Sequence, residues 1–241
     1  MLTELRELRA RHPELIAERA AKRTRRPLLP DDGRLMIIAA DHPARDALAI
    51  RGDANAMADR DDLLDRLVTA LSNPKTDGVL ATADIVEDLL LLGALEDKVV
   101  FGSMNRGGLR GTTFEMDDRF TGYDASTIAQ LSLDGGKMLL RIDPDDHGTA
   151  RTLEATSRAV TELAALGKIA MIEPFIMERV VRATTLPVLL LGGESADALG
   201  QLRRAAALPG VRGLVAGRAL LYPADGDVES AVAAACDMVH S

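Results

Sequence analysis

Tryptophan is absent from the 241 residues, and two tyrosines and four phenylalanines hold the aromatic share to 2%. Surfaces on which bases or sugar rings stack are therefore scarce. Positive charge is also in deficit. The formal net charge is -8, which argues against a nucleic-acid partner, because such a protein needs a basic face to displace counterions. Cysteine occurs once, as Cys236 in a C-terminal helical pattern. No internal disulfide can form, the chain fits a reducing compartment, and the thiol reads as a small buried hydrophobe. There are four histidines (His12, His42, His147, His240), and no two have zinc-ligand spacing on a common element, so no metal is expected. His12 and His240 read as surface residues of terminal helices. Apolar runs such as Asp88–Leu95 fall far short of the ~20 residues a membrane span requires, and the N-terminus is charged from Glu4 onward, unlike a signal peptide. The expectation is a cytoplasmic protein with no membrane partner. No strand is followed by a G-x-G-x-x-G turn or a G-x-x-x-x-G-K-[ST] loop, so no nucleotide cofactor is called for.

What is present is a globular composition, 47% hydrophobic and 27% charged, long enough for one barrel or one doubly wound sheet. Thr3 to Arg26 reads as one or two helices, with Thr3 as a cap, Pro13 in a first turn, and Leu5, Leu8, Leu15 and Ile16 as the apolar stripe. The basic run Lys22–Arg26 reads as a solvated helix end, where cations suit the dipole. Pro27 to Gly33 reads as a linker. From there strands and helices alternate. Strands are expected at 35–40, 78–82, 99–104, 135–143, 169–175, 187–191 and 211–216. Helices are expected at 61–71, 85–92, 125–131, 149–166, 177–183, 196–207 and 228–239.

Alternation with short connections means parallel pairing. Polar residues at the C-terminal ends of many strands (Asp41-His42, Asp84, Asn105-Arg106, Arg141–Asp143, Glu173, Gly192-Gly193, Gly217-Arg218) point to a (βα)8 TIM barrel rather than a sheet with one switch point. The expected organisation is an N-terminal helical extension over 1–33 and a barrel over 34–241. Only seven strands can be found. The strand at 169–175 runs directly into the helix at 177–183, and the turn at Ile176-Met177 has no glycine, aspartate, asparagine or serine to make it. One helix and one strand are therefore expected to be missing between Ile176 and Met177.

The strand Gly135–Asp143 is apolar on the face carrying Met138, Leu140 and Ile142. Its other face carries Lys137, Arg141 and Asp143, charges that are costly unless they meet partners or a substrate. Ile37, Ala39 and Asp41 share a face of the first strand, and Met171, Glu173 and Phe175 share one of the fifth. Asp41, Lys137, Arg141 and Glu173 can thus all point into one axial cavity. A lysine beside other cations in a poorly hydrated pocket becomes a nucleophilic amine able to attack a carbonyl, and a nearby carboxylate can move protons. That is a Schiff-base toolkit; the bland alternative is an internal salt bridge. Gly192, Gly193, Gly217 and Arg218 close the last two strands, where barrels often bind phosphate through bare backbone N–H groups. His42 and Arg141 complete the candidate substrate-binding set.

Five runs carry a family resemblance: Met36–Arg45 (MIIAADHPAR), Gly102–Leu109 (GSMNRGGL), Asp117–Asp124 (DDRFTGYD), Gly135–Asp143 (GGKMLLRID) and Gly217–Tyr222 (GRALLY). Together they resemble the class I aldolases of the deoxyribose-phosphate and tagatose-bisphosphate aldolase group, in an actinobacterial branch often associated with sugar and inositol breakdown. The resemblance implies a barrel that cleaves a phosphorylated ketose or keto-sugar acid through a lysine imine, with no cofactor. Asp41 resembles the first-strand aspartate that contacts the reacting carbons, Lys137 the fourth-strand lysine and Glu173 the proton-moving glutamate of the fifth. Gly193, Gly217 and Arg218 match the phosphate end. The imine-forming lysine of the tagatose-type members sits on the sixth strand, the one that is missing here. Deoxyribose-phosphate cleavage and non-catalytic sugar-phosphate binding stand as alternatives. Such barrels often pair, so a homo-oligomer is compatible with the sequence.

Overall fold

The computed structural model describes residues 1–105, 119–174, 184–192 and 210–240. Seven parallel strands form one curled sheet: β1 (Leu35–Ala40), β2 (Gly78–Ala81), β3 (Val99–Ser103), β4 (Gly135–Leu140), β5 (Ile169–Pro174), β6 (Val188–Leu191) and β7 (Val211–Ala216). Their order is β5-β4-β3-β2-β1-β7-β6, with neighbours parallel throughout. This is the order of a barrel opened between its fifth strand and the next. Among the described residues the strand count is seven, as the sequence predicts. The expected interruption at Ile176-Met177 and the helices expected at 177–183 and 196–207 lie outside the described residues.

The strands form where aliphatic runs can be buried on both faces, the usual condition of a parallel sheet. β1 (LMIIAA) is buried at every position. Its alternate residues part to opposite sides. Leu35, Ile37 and Ala39 join Leu80, Val99, Phe101 and Val215 on the concave side, with Met171, Leu189 and Leu191 packed against them. Met36, Ile38 and Ala40 face the larger core under the helices with Val79, Val100 and Met138. The helices are α1 (Leu2–Arg11), α2 (Leu15–Lys22), α3 (Arg60–Ser72), α4 (Ala83–Leu91), α5 (Ala125–Gln130), α6 (Gly148–Ala165), α7 (Arg218–Leu221) and α8 (Val228–Val239). Asp59, Asp124 and Asp227 cap α3, α5 and α8 by accepting from backbone amides of the first turn, each such cap being worth about 1 kcal/mol.

The N-terminal segment departs from the sequence reading. α1 begins at Leu2 with Met1 as its N-cap, so Thr3 is not a cap, and Pro13 precedes α2 instead of opening it. The basic run is not a solvated helix end. The Arg23 guanidinium is buried and donates to the carbonyls of Lys98 and Ser132 and to Asp134, while Arg25 pairs with Asp134 and Arg26 with Asp77. Asp77 and Asp134 immediately precede β2 and β4. These arginines therefore pin the extension across the N-terminal end of the sheet. The stretch read as a linker packs Leu28 against the concave core. His240 is not a free surface residue either. Its ring contacts Asp32 at 2.6 Å and Asp77 at 3.1 Å, joining the C-terminal helix to the same end. His12 is exposed, as expected.

Candidate active site

At the C-terminal ends of the strands, side chains from β1, β4, β5, β6 and the β7–α7 turn surround a cavity of about 310 Å³. Strand alternation delivers them. Asp41 immediately follows Ala40 at the end of β1, two positions beyond Ala39 and so on the same concave side. Lys137 and Glu173 lie in adjacent strands, and the register places Lys137 opposite Met171 and Leu139 opposite Glu173. The lysine amine reaches across the strand ends. Its Nζ donates to Asp41 Oδ2 at 2.7 Å and forms an ion pair with Glu173 Oε2. Lys137 and Asp41 are almost wholly buried, their side chains 2% and 4% exposed, and Glu173 is 16% exposed. The sequence reading expects cations beside Lys137. At bonding distance its neighbours are instead two carboxylates, so the ammonium is matched rather than repelled.

Of the remaining sequence-predicted site residues, His42, Arg141, Gly192, Gly217 and Arg218 all line the cavity. Gly193 lies outside the described residues. Gly217 is required by close approach. A Cβ there would fall 2.2 Å from the Ala39 carbonyl oxygen and 2.7 Å from His42 Cε1. Gly192 is similarly pressed against Ala216. Asp84 and Asn105, also picked out by their positions at strand ends, go elsewhere: Asp84 pairs with Arg60, and the Asn105 amide bonds the backbone of Leu139.

Sequence reasoning assigns no role to Arg45. It sits on the 3-10 turn Pro43–Arg45, lines the cavity, and donates to Asp41 Oδ2 at 3.1 Å. The signal was present as an aspartate and an arginine four positions apart with a proline opening the turn between them. Among the described residues the cavity thus brings together four basic side chains (Arg45, Lys137, Arg141, Arg218) and two carboxylates (Asp41, Glu173), inside a protein whose net charge is -8. Basic side chains grouped in this way can meet an anionic ligand.

Burial pushes the Asp41 carboxyl up, but the charges of Lys137, Arg45 and His42 outweigh it and hold the group well below the usual carboxylate range. His42 moves the other way. Burial lowers it to about 4; Asp41 opposes this, and Arg218, Arg45 and Lys137 add to it. Its imidazole is therefore neutral at pH 7. The buried Nδ1 lies 3.8 Å from Asp41 Oδ1 and makes no hydrogen bond. Among the described residues no group of three His, Cys, Asp or Glu side chains is placed to hold a metal ion, and no helix is long and apolar enough to cross a membrane.

All five lysines of the chain fall in the described residues, and only Lys137 lines the cavity. Lys22 and Lys75 make exposed ion pairs with Glu18 and Asp237. Lys98 and Lys168 bond backbone carbonyls at the strand starts, the opposite end of the sheet.

A family model described as Cgl0159-like matches residues 33–179 and 176–236, two stretches that meet where the sequence reading sets its missing helix and strand. The crystal structure of Cgl0159 from Corynebacterium glutamicum (Brevibacterium flavum) is similar over 99% of this chain and 96% of that one, at 45% identity and a TM-score of 0.93. An archaeal fructose 1,6-bisphosphate aldolase is similar over 93% and 99% of the two chains, at 15% identity and a TM-score of 0.66. A Schiff-base-forming fructose-1,6-bisphosphate aldolase is similar over the same shares, at 14% identity and a TM-score of 0.63. At these identities the two aldolases show a shared fold, an aldolase-like TIM barrel, and nothing finer. No curated protein matches the chain.

Proposed function

The chain belongs to the Cgl0159-like family, and from that premise we propose that it is a class I aldolase that reversibly cleaves a phosphorylated ketose or keto-sugar acid through an imine on Lys137. One observation carries the reading: the only lysine lining the cavity stands between carboxylates contributed by two other strand ends. Either carboxylate is placed to receive the proton the ammonium must shed before the amine attacks. The Nζ–carbon bond then forms, the carbonyl oxygen leaves as water, and the protonated imine draws in the electrons of the carbon–carbon bond that breaks. A carboxylate takes the hydroxyl proton as the first carbonyl fragment departs. The remaining enamine is protonated at carbon, and water releases the second fragment. Positioned proton transfer of this kind contributes about 10²–10⁴-fold in rate. The grouping of basic side chains in one cavity supports an anionic substrate, and the close-packed Gly192 and Gly217 beside Arg218 support a phosphate at that end.

The test is reductive trapping. Borohydride added with a ketose phosphate is expected to leave a stable mass increase on the peptide containing Lys137, and Lys137→Met is expected to abolish it. Acetaldehyde as the condensation partner, in place of a dihydroxyacetone-type fragment, separates the deoxyribose-phosphate alternative. The engagement of both carboxylates by the lysine favours a second reading, a sugar-phosphate-binding barrel without catalysis. Ligand-induced thermal stabilisation with no adduct and no cleavage would select it.

A further inference from the structure

Asp41 Oδ2 accepts from two cations at once, Lys137 Nζ at 2.7 Å and Arg45 Nη2 at 3.1 Å. Glu173 has a single ion pair among the described residues, with Lys137. This asymmetry matters once the amine reacts. Converting an ammonium and a carbonyl into a protonated imine and water keeps the positive charge, but reduces the N–H groups on Nζ from three to one. A single N–H cannot serve both carboxylates. Glu173 is the more exposed of the two and can turn to a substrate hydroxyl or water. Asp41, only 4% exposed, would be left as a buried charge, which is strongly unfavourable without a partner. Arg45 remains in contact with it. A guanidinium never deprotonates in this range, and its turn is stiffened by Pro43 at the first position.

We propose that Arg45 is a positioning residue that holds Asp41 as a charged acceptor through the imine stage, leaving Glu173 as the carboxylate that takes up and returns the proton. The proposal rests on the aldolase reading above. Two carboxylates in one site take different roles when their surroundings differ, and among the described residues the difference here is Arg45, which bonds Asp41 and not Glu173. The groups facing Asp41 are Lys137 from β4 and His42 and Arg45 from the turn after β1. Arg218 acts electrostatically on His42, and Glu173 pairs with Lys137 from β5.

The experiment combines Arg45→Met and Arg45→Lys with three readouts: borohydride trapping, the pH profile of kcat, and a carbon-13 carboxyl titration of Asp41 in a Lys137→Met background. Arg45→Met is expected to lower kcat by about tenfold or more, within the range of a positioned proton-transfer group, and to move the acid limb upward. Arg45→Lys should restore the limb's position. In the Lys137→Met background the Asp41 titration should stay low while Arg45 is present and rise when it is removed. An adduct on Lys137 with an acid limb unmoved in Arg45→Met overturns the role of Arg45 alone. No adduct on the wild-type protein overturns the aldolase reading and, with it, this step. An Asp41 titration indifferent to Arg45 overturns the electrostatic hold itself.

Discussion

The side chain of Asn105 takes the place of a strand beside Leu139. Its Nδ2 donates to the Leu139 carbonyl at 2.8 Å, and its Oδ1 accepts from the Leu139 amide at 2.8 Å. The register of β3 on β4 ends at Ser103 opposite Lys137, and the last backbone bond runs from the Met104 amide to the Lys137 carbonyl at 2.9 Å. Beyond that the chain leaves the sheet, and the Asn105 amide supplies the donor and acceptor the departing backbone no longer provides. On its other side Leu139 is opposite Glu173, so the amide fixes the strand position that aligns Lys137 with the glutamate.

Asn105→Ala is expected to strand a buried amide and a buried carbonyl at the end of β4. Each unsatisfied group costs about 1–3 kcal/mol, so the total loss should be about 2–6 kcal/mol, read from the shift of the urea midpoint at unchanged m-value. Asn105→Asp keeps the acceptor but sets a carboxylate oxygen against the Leu139 carbonyl, and it should be destabilising too. A variant as stable as the parent would mean that water or a shifted backbone replaces both bonds.

Much of this fold is legible in the chain because strands buried on both faces leave a plain mark: Leu35–Ala40 (LMIIAA) and Gly78–Ala81 (GVLA) carry no polar side chain and are buried at every position. Lys137 and Glu173 stand out for the same reason, since a charge inside such a run has few uses other than a partner or a site. Arg45 is not legible in this way, because a three-residue turn has no periodicity to set its direction. Arg23 and His240 are misread for a different cause. Whether a cation is solvated depends on the acids facing it, and Asp134 and Asp77 are 111 and 163 positions away in the chain, respectively. Linear spacing says nothing about partners brought together only by closure of the sheet.

Arg23 yields a second prediction. Its guanidinium is 1% exposed and ties α2 to the carbonyls of Lys98 and Ser132 and to Asp134, whose Oδ2 also accepts from the Val100 amide at 2.8 Å. Arg23→Met retains the apolar stem but removes three donated bonds. Asp134 keeps Arg25 and the Val100 amide, so its charge is not wholly abandoned. The loss should be about 3 kcal/mol, near the lower end for breaking a buried pair. Arg25→Met, removing a half-exposed partner, should cost less than about 1 kcal/mol. Thermal melts of the two variants decide the matter: equal, small effects would show that the extension contributes little to holding the sheet together.

The electrostatics of the cavity also set a stability profile in acid. A group whose acidity is lower in the unfolded chain than in the fold, as for both His42 and Asp41, adds stability that is present above its unfolded pKa and lost as the pH falls toward its folded value. For His42 the window runs from its ordinary 6.5 down to about 4. Across it the unfolded chain takes up a proton that the buried imidazole refuses, and the loss is on the order of 3 kcal/mol. Asp41 contributes a second step, full above its ordinary value near 3.8 and lost progressively below it, because the native carboxylate keeps its charge to lower pH. Urea unfolding at pH 7, 5.5, 4.5 and 3.5 should therefore fall in two stages. His42→Asn, which cannot protonate, should flatten the first stage relative to the parent and leave the second. If both proteins lose stability in parallel between pH 6.5 and 4.5, the imidazole is not held neutral, and the cluster of Arg45, Lys137 and Arg218 is not acting on it as their positions require.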